Sequence, residues 1–245
     1  MSYTLDTGVL PASQPLVAAL DREWSRFGQP GTWWSGNERV AIAGAARAAR
    51  SCRLCSERRG ALSPTSVDGR HDGDGSLPAP VVDAVHRIAT DPGRLSATWY
   101  QTLIAAGVTP EQLVELAGVL GILTLGDSLA RAYDTPPAPL PTPSPGEPSR
   151  QRPEGAVVDE AWVPMIPAER AEGPVAVFYE QVRRAAGFVF NVSRALTVVP
   201  AELAGFFGVF LQSYATHGPP PPGGLDRPQM ELLAAATSSL NDCFY

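Results

Sequence analysis

The chain has little with which to cross a membrane, enter a secretory route or hold nucleic acid. No uninterrupted apolar run reaches the roughly 18–20 residues that a membrane helix needs. The stretch Leu113 to Leu125 comes closest, but it is short and Glu115 interrupts it. The opening MSYTLDTGVLPASQP has no basic region followed by an apolar segment, so no secretory leader is visible. The net charge of −6 and pI of about 5.1 argue against nucleic acid as a partner, because phosphate binding needs a basic surface. There are three cysteines in 245 residues, whereas secreted disulfide scaffolds are short and rich in cysteine. The three histidines, His71, His86 and His217, are widely spaced and unpaired. Few stretches alternate with a period of two, which leaves little room for strands. A soluble cytoplasmic protein is the expectation.

What is present is helical. At 44% hydrophobic and 18% charged, the chain can bury a sizeable core. Pro15 to Phe27 places Leu16, Ala19, Leu20, Trp24 and Phe27 on one stripe. Glu38 to Arg50 is alanine-rich, and Trp33-Trp34 before it reads as core. Pro80 to Thr90 and Arg94 to Ala106 read as further helices. Thr109-Pro110-Glu111-Gln112 forms a capping box opening a helix to about Tyr133. Gly118, Gly121 and Gly126 inside it suggest close helix packing, Gly126 also a kink. Thr135 to Pro153 carries eight prolines, so it is an extended linker or a surface strap. Gly173 to Gly187, an apolar Pro200 to Tyr214 and Pro228 to Ser239 are the remaining helices. His217 to Gly224 is a Pro/Gly loop. The fold class is therefore all-α. Two related helical modules, 1–134 and 161–245, flank a proline-rich linker at 135–160.

One pattern occurs twice. NERVAIAGAARAARSCRLC places Glu38 upstream of a Cys-x-x-Cys pair, Cys52 and Cys55. PQMELLAAATSSLNDCFY places Glu231 twelve residues before Cys243 and stops two residues later. A second cysteine at the same spacing would be residue 246, so the second copy reads as cut short. Three readings of Cys52 and Cys55 are open: small buried residues, metal ligands, or a redox pair. The metal reading needs about four ligands, and unpaired histidines do not offer them, so no metal or cofactor is assigned.

The Glu-x11-Cys spacing, the Cys-x-x-Cys pair and the approach segment GFVFNVSRALTVVPAELAGFF resemble the alkylhydroperoxidase D-like and carboxymuconolactone decarboxylase superfamily. Phe190-Asn191 stands where that family has Pro-Asn. The first copy departs further: Glu38 and Cys52 are fourteen apart, and Arg59 stands where a histidine is usual. The resemblance implies a thiol-dependent peroxidase-like oxidoreductase, an antioxidant acting on small-molecule hydroperoxides. One thiolate attacks the peroxide, the second cysteine closes a disulfide, and an external dithiol reduces it. A Glu and a His relay protons, and family members assemble as homo-oligomers. The alternatives are a catalytically degenerate helical scaffold and a lyase acting on a lactone-type carboxylate.

The residues themselves can be weighed against that chemistry. A helix N-terminus favours a thiolate. Ser51 is the expected N-cap, with Cys52 in the first turn and Arg50, Arg53, Arg58 and Arg59 around it. Asn241 or Asp242 would cap Cys243 in the same way. If Glu38 to Cys52 were one unbroken helix, about 21 Å would separate them, so a relay requires a turn near Arg50-Ser51. Otherwise Glu38 is a first-turn acid. Glu231 has the better spacing for a relay. His86, with Asp83 three residues earlier to orient it, is the substitute base. His71 sits in a polar loop with no evident role. Asp68, Asp72 and Asp74 lack the spacing of a calcium loop. The catalytic candidates are Cys52, Cys55, Glu38, Glu231, Cys243 and His86. The last helix is expected to leave an apolar surface open.

Overall fold

Helix starts in this chain are set by local signals. In the computed structural model, residues 3, 13–73, 75–213, 224–241 and 243 are described. Among them are ten α-helices. Helix α1 (Gln14–Phe27) has Pro15 in its first turn. In α2 (Gly36–Ala49) Ser35 and Glu38 close a capping box, and α3 (Arg53–Gly60) follows with Cys52 as N-cap. Then come α4 (Ala79–Thr90), α5 (Ala97–Ala105) and α6 (Pro110–Ala132). The second half supplies α7 (Gly173–Ala186), α8 (Asn191–Ala195), α9 (Pro200–Ser213) and α10 (Arg227–Leu240). The Thr109/Gln112 capping box forms as expected. The helix expected from Arg94 starts only at Ala97, because the Ser96 side chain takes the Trp99 amide and Pro92–Arg94 is a separate 3-10 turn. No strand occurs among the described residues, and Val157 and Met165 form one isolated antiparallel bridge. The protein is all-α.

Helix α6 is the axis: α1, α2, α4 and α9 all pack against it. It is long and apolar enough to cross a membrane by length and composition, but 67% of its apolar window is buried in the bundle. Its glycines mark close approaches. A Cβ at Gly118 would fall 2.7 Å from Glu202 Oε2, and one at Gly126 would fall 2.8 Å from the Trp24 ring. The helix continues through Gly126, where Tyr3 donates its hydroxyl to the Gly126 carbonyl. Trp34 is buried, with its ring N–H on the Gln112 carbonyl; Trp33 is half-buried. The second half does not stand apart, since α9 packs on both α1 and α6 and its Val209 joins the main core. Only one stripe of α9 is buried, with Leu211 outside. Helix α10 buries none of its residues, and Leu232, Leu233 and Leu240 are exposed. Most of the loop expected at His217 to Gly224 lies outside the described residues, as do Asp74 and Asp242.

The proline-rich segment is a strap. The Pro139 carbonyl accepts the Trp24 ring N–H, and the Ala138 carbonyl accepts from Arg47. Ser144, Ser149 and Arg150 donate their amides to Gly28, Gly31 and Thr32. Thr142 lies so close to Gly28 that a Cβ there would sit 2.6 Å from its carbonyl oxygen.

Charge is buried where α1, α2, α6 and α9 meet. Arg39 on α2 is 1% exposed and pairs with Glu115 of α6 and with Glu202 of α9, the latter at 3.0 Å. Glu202 also accepts from Arg26 of α1 at 2.9 Å. Burial pushes the Glu115 carboxyl up, against the pull of Arg39. Burial works against charge on Arg39 too, yet Glu202 and Glu115 outweigh it and hold the guanidinium above its usual value. Cutting one partner out of such a network strands a buried charge, which costs about 3–5 kcal/mol. Arg39→Met is expected to lower the melting temperature by on the order of 10 °C. Arg39→Met with Glu115→Met should lose less than the sum of the two single changes, and circular dichroism melts of the four proteins check this.

Candidate functional site

Helix α2 ends at Ala49, and the chain turns through Arg50 and Ser51 into α3. The N-cap of α3 is Cys52 itself and not Ser51, whose hydroxyl is turned back to the Ala48 carbonyl. Cys55 lies three residues on, in the first turn. The loop after α3 folds back over it: Arg58 Nε donates to the Val67 carbonyl, and Gly69 sits against Leu54. Asp72 then accepts the Arg53 amide at 3.0 Å, so a carboxylate covers the positive end of α3. Docking Asp72 brings its neighbour His71 onto the two sulfurs. From the other side, α4 contributes His86 and Asp83.

The result is a four-residue cluster. Cys52 Sγ, Cys55 Sγ and one nitrogen from each of His71 and His86 lie within 4.8 Å of one another. His71 Nδ1 is 3.4 Å from Cys55 Sγ and 3.7 Å from Cys52 Sγ. His86 Nδ1 is 3.3 Å from Cys55 Sγ. The imidazole rings are 4.4 Å apart. Behind His71, Nε2 meets Asp83 Oδ1 at 3.0 Å, while Arg58 and the Trp99 ring N–H hold the same carboxylate at 2.7 and 3.1 Å. Cys52, Cys55 and His86 are buried. All three cysteines are free thiols.

Electrostatics separate the members. Burial pushes the Cys52 thiol up, but amide donors from Asp72 and Cys55 and the His71 ring outweigh it and bring it below its ordinary value. Burial lowers His71, yet hydrogen bonds to Asp83, Cys55 and Cys52 raise it to about 10. Asp83 is held far below the usual carboxylate range: His71 and Arg58 overcome its burial. Burial, followed by the charge on His71, lowers His86 to about 4. At neutral pH the site thus holds a His71 imidazolium fixed by Asp83 and a neutral His86 on Cys55, and the His71 ring and nearby amides favour the thiolate form of Cys52. That arrangement can present a nucleophilic sulfur and a proton donor side by side.

Of the sequence candidates, the structure assembles Cys52, Cys55 and His86. Glu38 is not among them. Its carboxylate bonds the Ser35 amide and hydroxyl at the start of α2, and the length of α2, about 17 Å from Glu38 to Ala49, separates it from the sulfurs. The turn near Arg50-Ser51 comes after that helix, too late to bring Glu38 round. Glu231 is on the exposed face of α10, paired with Arg227. Cys243 is exposed just beyond α10, with its amide on the Ser238 carbonyl. Asp83 does orient an imidazole, but it is that of His71 and not of His86. Asp72 is a helix cap; Asp68 is exposed. His71 had no signal at the scale of local spacing, because a loop closing back over α3 delivers it.

No protein-family model, no curated protein and no solved structure matches the chain.

Burial separates the thiols in a way a bulky aromatic disulfide reagent can read. In the folded protein exposed Cys243 is expected to react ahead of buried Cys52 and Cys55. Labelling of Cys52 and Cys55 only after denaturation would favour inert, buried cysteines, and labelling of one of them in the folded protein a reactive pair. Peptide mapping of the labelled thiols over time checks the order.

Proposed function

We propose that the protein is a thiol-dependent, peroxidase-like oxidoreductase working through Cys52 and Cys55. The observation that carries this reading is the pairing of both sulfurs with the His71 ring, itself fixed by Asp83 and Arg58. The Cys52 thiolate attacks the terminal oxygen of a hydroperoxide, giving a sulfenic acid and an alkoxide that takes the His71 proton and leaves as the alcohol. Cys55 then condenses with the sulfenic acid, releasing water and forming a disulfide. An external dithiol returns the pair to its reduced state. A mainly apolar cavity of about 420 Å³ lies between α2 and residues 72–73 and 75–77, and is lined by Asp72, whose amide also meets Cys52. It suits the hydrocarbon body of a small organic hydroperoxide.

In this reading the chain is grouped with the alkylhydroperoxidase D-like superfamily on its Cys-x-x-Cys pair and helical context. Residues 161–245 are then a second copy of the module in 1–134, supported by the Glu231–Cys243 spacing. A reducing cytoplasm and assembly of several copies go with it. The proton relay differs from the one the resemblance implies, with His71 and Asp83 standing in for Glu38. The near-complete burial of both sulfurs favours a second reading, a helical scaffold whose cysteines are inert.

Turnover of an organic hydroperoxide with a small dithiol separates the two. Cys52→Ser and Cys55→Ser should each reduce turnover to background, whereas Glu38→Gln should retain it. One equivalent of peroxide should yield a Cys52–Cys55 disulfide on non-reducing peptide maps. Wild-type protein with no turnover and no disulfide would leave the scaffold.

A further inference from the structure

The cluster has a property that peroxide chemistry does not use. Its donor set is two thiols and two imidazoles. Zinc bound tetrahedrally takes such sets, with metal–sulfur bonds of about 2.3 Å and metal–nitrogen bonds of about 2.0–2.1 Å. Those bonds fix the edges of the tetrahedron at about 3.5 Å for sulfur to nitrogen. Three sulfur–nitrogen edges here are 3.7, 3.4 and 3.3 Å. A redox dithiol needs one imidazole at most, and the second one, His86, is brought in at 0% exposure with its Nδ1 directed at Cys55 Sγ. The backing of His71 also fits. Its Nε2 faces the Asp83 carboxylate, which would hold the ring with Nδ1 directed at the sulfurs, the usual support for a metal-bound histidine.

We propose that Cys52, Cys55, His71 and His86 form a zinc site, with Asp83 as the positioning residue of His71. The proposal shares Cys52, Cys55 and His71 with the peroxidase reading but does not depend on turnover. All four positions are filled by protein atoms, so the site is of the closed kind that cross-links structure and offers no place for a metal-bound water. It ties three separate pieces of chain together: the first turn of α3, the 67–73 loop and α4. Because zinc would occupy both sulfurs, the metal-loaded form is the reduced form and cannot close the Cys52–Cys55 disulfide.

The test uses the full chain, reduced and stripped of metal with a chelator. Titration with Zn(II) against a chromophoric competitor should give one equivalent bound per chain, with a higher melting temperature than the stripped protein. Co(II) should give the intense visible bands of tetrahedral cobalt and a near-ultraviolet thiolate-to-cobalt band. Cys52→Ser and His86→Gln should each weaken Zn(II) binding at least a hundredfold, and Cys243→Ser should leave it unchanged. The cobalt spectrum of the unaltered protein guards against variants that fail to fold. Absence of stoichiometric zinc, a weak octahedral-type cobalt spectrum, or zinc binding that survives Cys52→Ser would overturn the proposal. One-to-one zinc binding by a chain whose metal-stripped, reduced form shows no peroxide turnover removes the peroxidase reading alone; turnover by the stripped form without zinc binding removes the metal site alone.

Discussion

The bundle depends on a buried charge. Arg39 reaches from α2 to carboxylates on α6 and α9, and Arg26 extends the chain of contacts to α1. The network is satisfied only when these four helices are in register. Small residues make it possible: a Cβ at Gly31, Gly118 or Gly205 would collide with one of its side chains. Such a network adds less to stability than its hydrogen bonds suggest, since desolvation offsets much of the gain. What it does supply is a penalty for misplacement, because a slipped helix leaves a guanidinium or carboxylate buried alone. The sequence has arginine and no lysine, and the planar fork of arginine is suited to holding two carboxylates at once.

The sulfur–imidazole cluster is built at the edge of this rigid body. Helix α2 belongs to the network at its N-terminal half and delivers Cys52 at its far end, so the position of the sulfurs inherits the register of the bundle. Helix α4 packs on both α2 and α6 and fixes His86 and Asp83. His71 is different in kind, because it rides on a loop held by Asp72, Arg58 and Gly69. The cluster therefore combines three groups set by helix packing with one set by loop docking. Thiol chemistry and metal binding would draw on the same geometry, and the choice between them would follow the redox state of the two sulfurs.

Much of this was legible in the sequence where the information is local. Thr109 and Gln112 mark their helix start through bonds made within four residues, and the Thr135–Pro153 prolines exclude helix by lacking N–H groups. Cys52, Cys55 and His86 could be named because their spacing or helical neighbours signal chemistry. His71 could not, since its role comes from a loop closure that no periodicity encodes. Asp83 shares a helical face with His86, the ring it is expected to orient, yet it faces another segment and bonds His71 instead. Glu38 shows the reverse error: a residue at a suggestive spacing whose carboxylate is spent on its own helix cap. The ion network also escaped notice, since Glu115 reads in sequence as an interruption of an apolar run and in structure as the buried partner of a residue 76 positions away.

The strap over α1 and α2 has a consequence for how the chain tolerates change. It is attached through main-chain atoms: carbonyls at Ala138 and Pro139, amides at Ser144, Ser149 and Arg150. Arg152 adds a side-chain anchor on Glu111 at 2.9 Å and Arg150 lies over the Trp33 ring, while a proline at any of those three amide positions would delete an anchor. The existing prolines restrict the chain before it docks, so little conformational freedom is lost on binding. Nineteen residues without helix or strand can in this way behave as a girdle, cheap to order and hard to peel, closing the turn between α1 and α2 that holds Gly31 against the buried charges.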